Sequence, residues 1–411
     1  MLRRILFVLA LGSLAAPPCA AGVAEQYLDA QLRAVASVEA QLDRLADVAE
    51  LSCARLLAGG NIYLAGEKGM VSELLGRAGG LCAAKALSLD KPVALGSNDV
   101  VLLSDYGTPG KLEAALAKLV PGKALVIVFA SAEQPALKSM RAENVRPVPV
   151  DIPLDSRLVT LAGDRRLIPA ASPAIAAAEW AYVAELLAAG RREHRQLAVY
   201  LSVRLDPGRA RFQRTKNLLF EPDLRPNPVP RGQYGGAFLA RVRQSLLEIR
   251  GQSEAIRKAA VWIAEARSAG RKIVRNMHAH LPPLEVGIAG DVDFFSQMVR
   301  GLGPPGADWI RRNLDEGDLY LLVGYQQNED DMAAAATERR ARSIFLTSAR
   351  PGPEQAANPR HLYINPHWPV TDGVLELPGY DVKACPLSAI ANLSCYWAIC
   401  AEAAADRTPT P

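Results

Sequence analysis

The chain has 411 residues, half of them hydrophobic, and a formal net charge of +4. That length accommodates two domains of ordinary size, and that apolar share excludes wholesale disorder. The small charge, with no long basic stripe carrying interleaved aromatics, argues against a nucleic-acid partner.

Residues 1–21 read as a targeting segment rather than as fold. A positive MLRR stretch precedes the apolar run ILFVLALGSLAA, and PPCAAG supplies small residues for cleavage near Ala21. The expectation is a secretory signal and an exported, periplasmic protein, with an uncleaved anchor as the alternative. The apolar run is short for a membrane span, and no other stretch qualifies.

Residues 24–58 carry apolar side chains at helical spacing and predict one or two amphipathic helices, ended by Gly59 and Gly60. NIYLAG, from Asn61, predicts a buried strand. A second helix is expected from Glu73 to Leu87, broken at Gly79 and Gly80. The strand VVLLS, from Val100, leads to the helix KLEAALAKL and the strand ALVIVFAS, from Ala124. VRPVPVDIP, from Val145, holds three prolines and suits only an edge strand or an extended segment. The helix AIAAAEWAYVAELLAAG, from Ala174, closes this half. Residues 206–236 are rich in Pro, Gly, Arg and Asn without a period, so a linker lacking regular structure over most of its length is expected. Residues 406–411 read as a loose tail.

The remaining chain repeats the pattern. LADVAELSCARLLAGGNIYLAGEKG, from Leu45, is echoed by IRKAAVWIAEARSAGRKIVRNMHAH, from Ile256. Ile62 then matches Ile273, and Leu102 matches Leu321. A repeat of this length is a duplicated domain, here 22–205 and 237–405. Alternating helix and strand predicts an α/β fold: two tandem domains related by a pseudo-two-fold axis, each a mainly parallel sheet of about five strands flanked by helices.

Ligands in such sheets sit where strands run into helices. In the first copy those loops are Gly66–Glu73 and Ser104–Glu113. Ser104, Tyr106, Gly107 and Thr108 offer hydroxyls, a tight turn and a helix start, which suit a phosphate; the same residues could merely cap the helix. Glu67 or Glu73 could move a proton on an open-chain sugar while Lys68 steadies an enediolate, or all three could be a charged turn. In the second copy Val323 replaces Ser104, and Gln326 is the polar side chain left for a ligand. His278 and His280 could supply acid/base chemistry, bind a metal together with Glu285, or simply line a loop. No dinucleotide fingerprint, esterase elbow or Walker loop is present, and no cofactor or metal is expected. Cys53, Cys82, Cys385, Cys395 and Cys400 lack metal-ligand spacing and read as buried hydrophobes, with a Cys53–Cys82 or Cys385–Cys395 bridge as the alternative.

The sequence resembles the sugar isomerase (SIS) domain family. The resemblance is carried by Arg77-Ala78-Gly79-Gly80-Leu81, by Ser104-Asp105-Tyr106-Gly107-Thr108 in the place of a serine-rich S-x-S-G-x-T loop, and by Tyr200-Leu201-Ser202 before Pro207-Gly208. It covers nearly all of residues 24–405 as a tandem pair with degenerate site motifs. It implies a phosphosugar or amino-sugar ligand held by the Ser104–Thr108 loop. It implies either an aldose–ketose isomerase or a binding protein or scaffold that has lost that activity. A homodimer is open.

Overall fold

In a computed structural model, residues 22–91, 94–155, 157–160, 166–203, 205, 208–299, 306–325, 329–369 and 371–405 are described. The signal-peptide reading, the tail and Gln326 lie outside them.

The first copy begins with α1 (Val23–Glu39) and α2 (Leu42–Leu57), then β1 (Ile62–Gly66), α3 (Lys68–Leu74), β2 (Lys85–Ala86) and β3 (Val100–Ser104). It continues through α4 (Lys111–Leu119), β4 (Leu125–Ser131), α5 (Pro135–Ser139) and β5 (Val145–Val150). A hairpin of β6 (Arg157–Thr160) and β7 (Arg166–Pro169) leads into α6 (Ala171–Arg192), and α7 (Gly208–Thr215) follows. The second copy opens with α8 (Gln233–Arg250), α9 (Ser253–Ser268), β8 (Ile273–Met277) and β9 (Gln297–Val299). Next come α10 (Ala307–Asn313), β10 (Leu319–Val323), α11 (Asp330–Glu338), β11 (Arg342–Leu346), α12 (Pro353–Ala357) and β12 (His361–Ile364). The hairpin β13 (Gly373–Leu375) and β14 (Ala384–Pro386) precedes α13 (Ser388–Ala405).

The two five-stranded sheets have the same order, β2-β1-β3-β4-β5 and β9-β8-β10-β11-β12, and every pair in them is parallel. Their registers coincide: Leu64 pairs with Leu102 as Arg275 pairs with Leu321, so the matches drawn from sequence hold residue by residue. β3, β4 and β10 are buried along their whole length, which is why they read as unbroken apolar runs. The three prolines fall in or just after β5, at the sheet edge, where a missing ladder N–H costs least.

α6 and α13 are buried nearly all round and form a layer between the sheets. Trp180 and Trp397, both fully buried, occupy the same tenth position of these two helices. The copies also exchange their entry helices: α1 packs on α13, and α8 on α6. The caps follow the exchange. Glu402 in α13 accepts the Ala24 N–H (2.9 Å), and Glu185 in α6 accepts the Gly235 N–H (2.7 Å). Each closing helix thus places a carboxylate on the positive end of the other copy's entry helix.

Two expectations need correction, and the disulfide alternative falls. The helix expected over 73–87 is α3, which begins earlier and stops at Leu74, because Gly76 and Gly79 adopt φ of +65° and +81° and Arg77 turns into the interior. The linker contains α7, and α8 starts inside it at Gln233; the buried Arg211 fastens this stretch by bonding Glu221 (3.0 Å) and Asp381 (2.7 Å). All five described cysteines are free and buried, as small hydrophobes.

Candidate functional site

The C-terminal edge of the first sheet opens into a cavity of about 770 Å³. Its wall is built from successive strand ends: Glu67 after β1, Tyr106–Gly110 after β3, Glu133–Pro135 after β4, and Pro153–Asp155 after β5. Arg157 and Arg166 come from the β6–β7 hairpin, and Ile288 and Ala289 from the second copy.

Glu67 is drawn to this edge because its N–H donates to the Ser104 carbonyl (3.2 Å), and it caps α3 in an extended conformation. Its carboxylate accepts from Lys111 Nζ at 2.7 Å and from the Tyr106 N–H at 3.4 Å. The Tyr106 hydroxyl donates to Glu285 Oε1 (3.3 Å), a carboxyl that reaches in from the second copy. Burial pushes Glu285 up to about 7. Gly107 has φ +87°, and its N–H donates to Asp105 Oδ2 (2.9 Å); Gln134 Nε2 donates to the same oxygen (2.6 Å). Burial raises the Asp105 carboxyl as well. Thr108 is exposed on the cavity wall, but it does not open the helix: α4 starts at Lys111 after Gly110, whose φ is +74°. On the opposite wall, Arg166 and Asp155 form a close ion pair, and Arg157 Nη2 lies 3.7 Å from the same carboxylate.

Other expected site residues lie elsewhere. Ser104 is buried beneath the loop and donates to Glu179 Oε1 at 2.7 Å, rather than lining the cavity. Glu73 is fully buried beside Arg77 (2.5 Å) and accepts from Trp180 Nε1 (3.2 Å), so it belongs to the interior and not to the crevice. Burial pushes its carboxyl up to about 7, against the pull of Arg77. Lys68 opens α3 as an exposed residue outside the cavity lining. His278 is buried just past β8, its N–H on the Val323 carbonyl (3.0 Å). His280 Nδ1 lies 3.0 Å from the Ser72 carbonyl, which assigns the proton to that nitrogen. Burial, then the nearby Arg77, lowers its pKa to about 4, so it is neutral at pH 7. Neither histidine lines the cavity. Among the described residues no three His, Cys, Asp or Glu side chains group as metal ligands, so the His278–His280–Glu285 alternative falls.

Sequence reading missed Glu179, Asp105, Arg157 and Arg166. Glu179 had a signal: with Glu185, it is one of two acidic residues in a helix that is apolar up to its basic last turn, and a charge buried on every side needs a partner. The second copy places Val323 and Tyr396 where the first has Ser104 and Glu179, so the hydroxyl–carboxyl pair is lost as a unit.

Gly107→Ala tests the loop. A Cβ there would lie 1.8 Å from the Leu154 carbonyl oxygen, at a φ that L residues disfavour. The expected outcome is a loss of about 1–3 kcal/mol in urea unfolding, with Gly110→Ala, where a Cβ meets nothing within 4 Å, costing less. Equal losses would place the strain in φ alone.

This architecture is an SIS-type fold, present as two tandem SIS-like domains. The chain is similar to the tagatose-6-phosphate ketose/aldose isomerase of Escherichia coli, with a TM-score of 0.50 and 12% identity over 95% of this chain and 93% of that one. It also aligns with the C-terminal domain of the glucosamine-fructose-6-phosphate aminotransferase of Francisella tularensis, at a TM-score of 0.46 and 8% identity over 91% and 96% of the two chains. No family model and no curated protein matches the sequence.

Proposed function

We propose that the protein binds a sugar derivative, a phosphosugar or an amino sugar, in the cavity of its first copy, and that it is exported to do so. The observation that carries this reading is the cavity itself. It stands at the C-terminal edge of the parallel sheet, its wall is formed by the loops after β1, β3, β4 and β5, and it has the volume of a small-molecule site. The SIS fold supports the same ligand class by analogy of fold. The test is thermal shift against sugar phosphates, amino sugars and cell-wall fragments. A ligand at about 100 times its Kd should add about 2.7 kcal/mol to stability. No shift with any of them removes the reading.

One observation favours turnover as a second reading. Glu67 lines the cavity with Lys111 on its carboxylate, as a base that works beside an enediolate would. In an isomerase, solvent deuterium should enter C1 or C2 of the bound sugar, and Glu67→Gln should slow that exchange about 10²–10⁴-fold with binding nearly intact. Binding without exchange between about pH 5 and 9 leaves the protein a binder.

A further inference from the structure

The loop after β3 already holds an anion of its own. Asp105 is 2% exposed, and its Oδ2 takes both the Gly107 N–H and the Gln134 amide, at 2.9 and 2.6 Å. A phosphate oxygen arriving at this turn would need those donors. The Ser104 hydroxyl is likewise committed, to Glu179. The two arginines of the lining both face Asp155, and Lys111 holds Glu67. Glu113 and Glu133 add further carboxylates to the wall.

A phosphate monoester could reach the Gly107 N–H only by displacing Asp105. That would leave a buried carboxylate short of donors, beside a second anion. The N-terminus of α4 pulls the other way, with Gly110 at the cavity wall, but that pull is weak at an exposed helix end. Sugar hydroxyls and ammonium groups, by contrast, bring donors to a wall supplied with acceptors.

We propose that this cavity takes a sugar derivative that carries no phosphate, neutral or amine-bearing, and that Asp105 is the residue that rejects phosphate monoesters. The inference rests on the sugar-site reading above and selects within it.

The experiment is titration calorimetry of the full chain with glucose, glucosamine and the 6-phosphate ester of each. The unphosphorylated member of each pair should bind at least about tenfold more tightly. Asp105→Asn can keep an oxygen on Gly107 and Gln134 while removing the charge, and it should narrow that ratio about tenfold. Asp105→Ser, which frees the Gly107 N–H, should move it the same way and serves if the asparagine variant fails to melt cooperatively. A wild-type protein that binds the esters as tightly or more tightly overturns the inference and leaves the sugar site standing. An unchanged ratio in a variant that melts like the wild type overturns the role of Asp105. Binding of none of the four overturns both the sugar reading for these hexoses and the inference built on it.

Discussion

Replacing Arg77 with alanine is expected to destabilise the fold by about 3–5 kcal/mol, the usual cost of removing one partner from a buried ionic group. Arg77 is 1% exposed and ties the two copies together. Its Nη1 meets Glu73 at 2.5 Å, and its Nη2 donates to Asp372 Oδ2 (2.9 Å) and Ser388 Oγ (2.5 Å). Asp372 in turn accepts the Leu387 and Ser388 N–H groups, at 3.1 and 2.9 Å, where α13 begins. Alanine would leave two carboxylates buried with no cation between them. Glu73 is already pushed up to about 7 with Arg77 present, and without it the carboxyl would take a proton at still higher pH. The loss should therefore be larger at pH 8 than at pH 5, where a proton replaces the missing cation. Urea midpoints at the two pH values measure this. A loss below about 1 kcal/mol at both would show that the triad adds no net support. Arg77→Met combined with Glu73→Gln should cost less than Arg77→Ala, because it leaves one buried carboxylate in place of two.

The fold was legible because a duplicated pattern constrains itself. Ile62 and Ile273, or Leu102 and Leu321, could be matched before any strand was paired, and the common sheet order follows from two halves obeying one rule. The strand-end loops were legible as the rim of a crevice, and Glu67, Tyr106, Gly107 and Thr108 do line the cavity there. Which side chains of those loops face it was not. That is decided by partners far along the chain: Ser104 is claimed by Glu179, 75 residues on, and Asp105 by Gln134, 29 residues on. Glu73 is a different case. Its partner Arg77 stands only four residues away, but α3 ends between them, and burial rather than spacing makes the pair internal. The RAGGL segment reads as a family mark in the sequence, and in the fold it is a brace: Gly79 donates to the Tyr200 carbonyl (2.8 Å), and its own carbonyl accepts the Cys385 N–H (2.9 Å).

The second large effect concerns pH and Glu179. This carboxyl is fully buried, and burial pushes it up to about 8, with Ser104 opposing and Glu73 adding to the rise. Its Oε2 has no hydrogen-bond partner among the described residues, so little stabilises the ionised form. The folded state thus keeps this proton to a higher pH than the unfolded chain, which releases it near 4.5. The resulting stability is fully present below about pH 4.5 and is lost as pH climbs through about 8. Glu73 and Glu285, both pushed up to about 7, act in the same direction. Other carboxylates, such as Asp99, are held below their usual range by backbone N–H bonds and push stability the opposite way in acid. A single substitution isolates the Glu179 share. Glu179→Gln can keep an oxygen for the Ser104 hydroxyl and cannot ionise. Relative to wild type it should be nearly neutral at pH 5 and stabilising at pH 9, by on the order of 2–5 kcal/mol for a shift of this size. The same stability difference at both pH values would mean that Glu179 does not titrate in this window.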